Sequence, residues 1–169
     1  MCIGIAIDAE LLTETFLRRF GLAARMQGDL FDSPPELLFQ FRDRIPQLPI
    51  VRLTPENAQQ PLPTSDDWDL VEWGNRGNRQ SRLPLTGWAR EESTSAGKWK
   101  YLRPQPVWIP ASRGLEKGVW FPTPDGLQGI LVEDENRQPH VYMLTRASTP
   151  EYEQLTKHHR MPVWGAPMV

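Results

Sequence analysis

Cysteine is nearly missing from this 169-residue chain, and the one present is Cys2, directly behind Met1. A single thiol excludes an internal disulfide framework, so a reducing, cytoplasmic setting is the expectation. Long hydrophobic runs are missing too. The apolar stretch Ile3-Gly4-Ile5-Ala6-Ile7 is too short for a signal peptide and no basic residues precede it, and no run approaches a membrane span. There is no internal repeat and no low-complexity segment. The net charge of −2 gives no global nucleic-acid signal. One cysteine, three histidines and no acidic cluster beside His158-His159 argue against a zinc site, and no metal or other cofactor is expected.

What is abundant is proline. Seventeen prolines are about twice the average usage, which disfavours a helical bundle. Seven tryptophans sit mostly in short strand-like runs. The length fits one domain, spanning 1–169, with a single core. Residues 2–7 read as a short buried strand. Apolar positions Leu12, Phe16, Leu17, Phe20 and Ala24 recur at helical spacing and predict a helix from Ala9 to about Met26, capped by Asp8. Pro34-Pro35 break the chain before a short helix over Glu36–Phe41, and Pro49–Leu53 is a strand followed by a proline- and glutamine-rich loop. Strands are expected at 68–73, 106–110 and 118–121, with 89–95 ambiguous and helical at most for a turn. Residues 127–133 and 140–145 form an antiparallel pair around a polar turn at Asp134–Gln138. Ser148 or Thr149 caps a last helix with Pro150 at its first position. The fold class is α+β: a strand-rich single domain with an antiparallel or mixed β core and short flanking helices.

Charge is unevenly spread. Between Arg76 and Arg103 the basic residues Arg76, Arg79, Arg82, Arg90, Lys98, Lys100 and Arg103 are opposed only by Glu91 and Glu92. Trp88, Trp99 and Tyr101 are interleaved with them, a pattern suited to single-stranded nucleic acid and equally to a solvated loop.

Four features carry candidate chemistry. Removal of Met1 leaves a Cys2 whose amine and thiol form a 1,2-aminothiol: the amine condenses with an aldehyde and the thiol closes a thiazolidine. Ordinary pKa values near 8.5 and 7.7–8.0 leave both groups partly reactive at neutral pH. His158, in Lys157-His158-His159-Arg160-Met161-Pro162-Val163, lies at a helix end before a proline-restrained turn, with a pKa suited to acid–base work. Glu116 follows the strand-like Ile109-Pro110-Ala111, where partial burial would make it a base. Arg90, in Trp88-Ala89-Arg90-Glu91-Glu92-Ser93, is a phosphate clamp with Glu92 to orient it, and Trp73-Gly74 lies shortly upstream.

In chain order, Cys2, Trp-Gly, Ala-Arg-x-Glu-Ser, Ile-Pro-Ala with a following glutamate, and His-x-Arg-Met-Pro-Val resemble the SRAP family, the SOS response-associated peptidases that shield abasic sites in single-stranded DNA. The matches run from residue 2 to 163. The resemblance implies an SRAP-like fold and a thiazolidine crosslink between the mature Cys2 and the ring-opened abasic sugar. It also implies that Glu116 manages protons at the α-amine and that His158 assists sugar ring opening and crosslink reversal. Arg90, Trp73, Trp88, Arg76 and Arg160 would contact DNA, and autoproteolytic release of the N-terminal residue would be possible chemistry. The partner implied is abasic single-stranded DNA, bound by a monomer without membrane contact, nucleoid-associated when bound to damaged DNA.

The chain departs from the family pattern in several places. Cys2-Ile3-Gly4 replaces Cys-Gly-Arg, so an arginine near the DNA is missing. Trp88 replaces the asparagine of the Asn-Ala-Arg box, whose amide positions the cysteine; Asn75 and Asn78 are the nearby substitutes. Residues 45–49 lack the Tyr-Asn-x-x-Pro segment, residues 112–117 lack the usual aromatics, and the sequence ends six residues past Val163, where typical members continue. A divergent, shortened, phage-related member is the expectation. Two alternatives stand beside crosslinking: a relative that binds DNA without reacting, and a thiol peptidase using Cys2 and His158, for which no oxyanion-hole motif is visible.

Overall fold

Alternation of buried and half-buried positions in Glu36–Gln40 makes this segment a strand rather than the expected helix. Leu37 and Phe39 are fully buried, and the segment pairs antiparallel with Gly4–Asp8. The structure, a computed structural model, describes residues 1–28, 34–56 and 63–165. Positions 57–62 of the proline- and glutamine-rich loop lie outside the described residues.

The strands in chain order are β1 (Gly4–Asp8), β2 (Met26–Gln27), β3 (Glu36–Gln40), β4 (Gln47–Arg52), β5 (Asp69–Trp73), β6 (Trp88–Arg90), β7 (Gln105–Ile109), β8 (Arg113–Glu116), β9 (Val119–Pro122), β10 (Leu127–Glu133), β11 (Pro139–Ala147) and β12 (Arg160–Pro162). Three short helices accompany them: α1 (Glu14–Arg19), α2 (Glu91–Ser95) and α3 (Pro150–Thr156). The fold is α+β and strand-rich, as expected.

One sheet runs β2-β3-β1-β8-β9. In the other, β10, β7, β4, β5 and β11 pair in succession and β11 returns to β10, closing a ring. Only the β5–β11 contact within this ring is parallel. β11 is long enough to serve several partners: β5 at His140–Val141, β6 at Met143–Thr145 and β12 at Thr145–Ala147. A principal core joins both sheets through Ile5, Ile7, Leu37, Phe39, Leu48, Ile50, Trp73, Ile109 and Val141. Each fully buried aliphatic side chain of this kind contributes about 1.5–3 kcal/mol. A second cluster gathers Leu83, Trp99, Leu102, Ile130, Val132 and Tyr142.

The N-terminal helix is much shorter than its apolar spacing predicts. Asp8 makes no side-chain cap and ends β1; Thr13 is the cap, its hydroxyl accepting from the Phe16 amide. Gly21, at φ 65°, stops the helix, and Met26 joins a strand. At the other end, Thr149 caps α3 by accepting from the Tyr152 amide, with Pro150 at its start. No described helix is long and apolar enough to cross a membrane.

Candidate active site around Cys2

The pairing of β1 with β8 sets the site. Gly4 opposes Leu115, and the Ile3 amide donates to the Leu115 carbonyl across 2.8 Å, fixing the chain just after Cys2. Gly114 and Glu116 alternate with half-buried neighbours and share the buried face of β8. A Cβ at Gly114 would lie 3.1 Å from Cys2 Sγ and 2.4 Å from Phe121 Cζ, so only glycine leaves room for both. Glu116, two residues on, is 2% exposed. It is therefore a strand residue at the thiol rather than a loop residue. The α-ammonium of Met1 forms an ion pair with Glu116 Oε2, an oxygen that has no hydrogen-bond partner besides.

Cys2 is fully buried, and its thiol donates to the Gly4 carbonyl at 3.1 Å. Burial pushes the thiol up to about 12, opposed by hydrogen bonding near Gly4 and Leu115 and assisted by the negative charge of Glu116. This holds with Met1 in place, whereas the expectation of a partly reactive thiol concerns the chain after Met1 removal. Tyr152, buried on α3 and edge-on to Phe121 at 5.1 Å, completes the wall. Among the described residues its hydroxyl has no hydrogen-bond partner, and burial, then the charges of Cys2 and Glu116, raise its pKa.

Trp88 arrives from β6. Its indole Nε1 donates to the Cys2 carbonyl oxygen at 2.9 Å, and its ring packs against Phe41 and Trp73 at 4.7 and 5.8 Å. Trp88 thus holds the cysteine through its backbone carbonyl, as a hydrogen-bond donor. Asn75 does not substitute: its amide donates to the Asn78 and Leu83 carbonyls and its oxygen accepts from the Gly77 and Asn78 amides.

Met1, Thr86, Trp88, Arg90, Thr145, His158, His159 and Arg160 line a cavity of about 400 Å³. His158 is half-buried with Nδ1 3.0 Å from both the amide nitrogen and the carbonyl oxygen of Arg160. A neutral Nδ1 accepts from that amide, and a protonated Nδ1 donates to that carbonyl. Both charge states are satisfied in one ring position, while Nε2 has no hydrogen bond to the described residues. His159 does not diverge from it: the two rings stack, 4.9 Å apart and 15° from parallel.

The remaining residues proposed to contact DNA differ in availability. Arg90 is exposed at the cavity. Arg160 is 9% exposed and holds Glu92 in a two-pronged pair at 2.7 and 3.0 Å, and its Nη2 also donates to the Thr145 carbonyl at 2.8 Å and hydroxyl at 3.1 Å. Glu92 therefore orients Arg160, not Arg90, and the hydrogen bond from Arg160 lowers its pKa to about 2. Trp73 is fully buried and donates to the Gly87 carbonyl at 2.9 Å, so its ring is core, not a stacking platform. Arg76 donates to the carbonyls of Phe41 (2.8 Å), Asp43 (2.6 Å) and Arg44 (3.2 Å), clasping that turn. With Arg42 and Phe41 it nonetheless flanks Ile3.

Sequence reasoning missed Gly114, Tyr152 and the Arg160–Glu92 pair, because strand pairing and helix packing bring them to the site. Among the described residues no group of three or more His, Cys, Asp or Glu is arranged to hold a metal. Compared with protein-family models, curated proteins and solved structures, the chain gives no match.

Proposed function

We propose that this chain is an SRAP-type protein that, once Met1 is removed, traps abasic sites in single-stranded DNA through the aminothiol of Cys2. One observation carries the reading: the N-terminal ammonium is paired with the buried Glu116 while the Cys2 thiol lies on the same face of β8. A carboxylate oxygen with no other partner, kept beside a chain terminus, suits an amine that must lose protons before it attacks.

The chemistry balances as follows. Hydrolysis of the Met1–Cys2 bond exposes the amine. The amine condenses with the aldehyde of the ring-opened sugar, Glu116 taking the ammonium proton and water leaving as the imine forms. The sulfur then adds to the imine carbon, and the thiol proton ends on nitrogen, closing the thiazolidine. The buried, neutral thiol supports this order, since a cationic iminium beside it would lower its pKa at the step that needs the thiolate. His158, able to hold or release a proton without moving, suits sugar ring opening. Exposed Arg90 at the same cavity suits a phosphate of the strand.

The hydrogen bond from Trp88 to Cys2 favours this reading over a relative that only binds DNA, because the cysteine remains positioned despite the changed box. The test is a denaturing gel with uracil-excised single-stranded DNA, after intact-mass measurement shows loss of Met1. A heat-stable adduct that disappears in Cys2→Ala is expected. Reversible binding without adduct by the processed protein would overturn crosslinking in favour of the non-reacting alternative.

A further inference from the structure

A second, separate cleft of about 360 Å³ shares no lining residue with the cavity at Cys2. Its floor is Leu131 and Val132 of β10, with Leu102, and three arginines from distant segments converge on it: Arg52 at the end of β4, Arg82 and Arg103. Tyr101, 58% exposed, stands on its rim. We propose that this cleft binds a nucleoside phosphate, either a free nucleotide or one residue of a nucleic-acid strand.

The walls are built rather than incidental. The Arg82 backbone is held on both sides: its amide donates to the Glu135 carboxylate, and its carbonyl accepts from the Tyr101 hydroxyl at 3.4 Å. Its guanidinium donates to the Glu133 carbonyl at 3.1 Å, which leaves further N–H groups of the fork for another acceptor. Arg103 follows the buried Leu102 in left-handed conformation, φ 50° and ψ 57°, a backbone state that few non-glycine residues adopt. Arg52 also pairs with Asp69 at 3.7 Å, outside the cleft's lining, and Glu133 is the only acidic residue among the described lining residues. Three arginines against one glutamate in the lining give the cleft a positive balance that favours an anion. Planar guanidinium forks fit phosphate oxygens, and an exposed phenol over an apolar floor fits the flat face of a base. The size also fits, since small-ligand sites begin at about 300 Å³.

The proposal is independent of abasic-site chemistry, so its test contains no aldehyde. Adenosine 5′-monophosphate, adenosine, inorganic phosphate and an undamaged oligodeoxynucleotide are titrated into the isotope-labelled full chain and followed by backbone amide shifts. The monophosphate or the oligonucleotide should shift Arg82, Tyr101 and Arg103, with adenosine weaker by about tenfold or more for want of charged hydrogen bonds. Shifts with the monophosphate alone identify a free nucleotide, and shifts with the oligonucleotide alone identify a strand. Arg103→Ala, an exposed change, should weaken the binding about tenfold, Arg82→Lys should weaken it by losing the fork, and the exposed control Arg18→Ala should not. Absence of shifts at the cleft with both phosphate-bearing probes overturns the proposal. So does equal affinity in a folded Arg103→Ala protein, or equal response to adenosine and its monophosphate.

Discussion

The indole nitrogen of Trp88 donates to the carbonyl oxygen of Cys2 across 2.9 Å, joining residues 86 positions apart in the sequence. Since Phe41 and Trp73 hold the same ring, one side chain is both part of the aromatic core and the anchor of the N-terminus. Trp88→Phe separates these roles, keeping an aromatic ring and removing the donor. We expect a stability loss of about 1 kcal/mol from the hydrogen bond, with some added packing loss, and slower adduct formation by the processed protein. Chemical denaturation and the abasic-DNA gel measure the two. Unchanged adduct kinetics in Trp88→Phe would show that the bond does not position the cysteine.

Glu116→Gln keeps the shape of the side chain and removes its charge. The carboxylate that pairs with the α-ammonium of Met1 is then gone from beside the newly exposed Cys2 amine, so adduct formation at neutral pH should slow by about tenfold or more, within the range of a lost general base. Raising the pH should recover part of the rate, because deprotonation of the amine by solvent then replaces the carboxylate. A variant as fast as the parent at every pH would remove Glu116 from the mechanism.

The buried thiol makes a prediction about stability. In the chain that retains Met1, Cys2 is raised from 9.0 to about 12, chiefly by burial. Below pH 9 the thiol is neutral in both folded and unfolded chains. Between about 9 and about 12 the unfolded chain gives up a proton that the folded chain keeps, so stability falls as pH rises across that window. The slope from this one group approaches about 1.4 kcal/mol per pH unit at most. Urea unfolding of the parent and of Cys2→Ala, compared at about pH 8 and about pH 10, should show a steeper decline in the parent. Parallel declines would mean that the thiol is not shielded.

The family resemblance assigns Arg160 a DNA contact, whereas the fold uses it to tie β12 to α2 and β11 through Glu92 and Thr145. Arg160→Ala should therefore cost about 1.5–3 kcal/mol of stability through lost charged hydrogen bonds, besides any effect on DNA. Glu92, held at about 2 by Arg160, should lose this pairing only as pH falls below the ordinary carboxylate range toward 2. Thermal unfolding of the parent and of Arg160→Ala across this pH range measures this. A normal melting temperature for Arg160→Ala would return the residue to a purely surface role.

The sequence made the chemistry-bearing residue types visible, and the strand pairs with alternating patterns, such as β10 and β11, came with them. It misread segments whose apolar residues fit two periods. Leu37 and Phe39 suit a helix or a strand, and pairing with β1 decides for the strand. Leu12, Phe16, Leu17 and Phe20 suit one long helix, but Thr13 starts it late and Gly21 ends it early. Trp73 was expected to contact DNA on the family resemblance, yet it is fully buried; burial is a property of the sheet that no local pattern encodes. Gly114 and Tyr152 matter only through what β8 and α3 set beside Cys2, so neither carries a signal along the chain.

His158 and His159 offer the most discriminating comparison. Divergence of adjacent side chains predicts that only one faces the site, whereas the rings stack and both line the cavity. The difference between them lies in hydrogen bonding. His158 Nδ1 meets the Arg160 amide and carbonyl, which fixes the ring and supports either charge state, while His159 is exposed and makes no such bond among the described residues. His158→Ala should slow adduct formation or reversal severalfold or more. His159→Ala should act mainly through its neighbour, widening the freedom of the His158 ring and giving a smaller loss. Because His159 is exposed, its removal should shift stability by about 0.5 kcal/mol or less. Adduct and reversal rates of the two variants separate the roles. If His159→Ala proved the more damaging change, the proton-handling role would pass to the exposed ring, and the Nδ1 contacts of His158 would be a turn-stabilising feature alone.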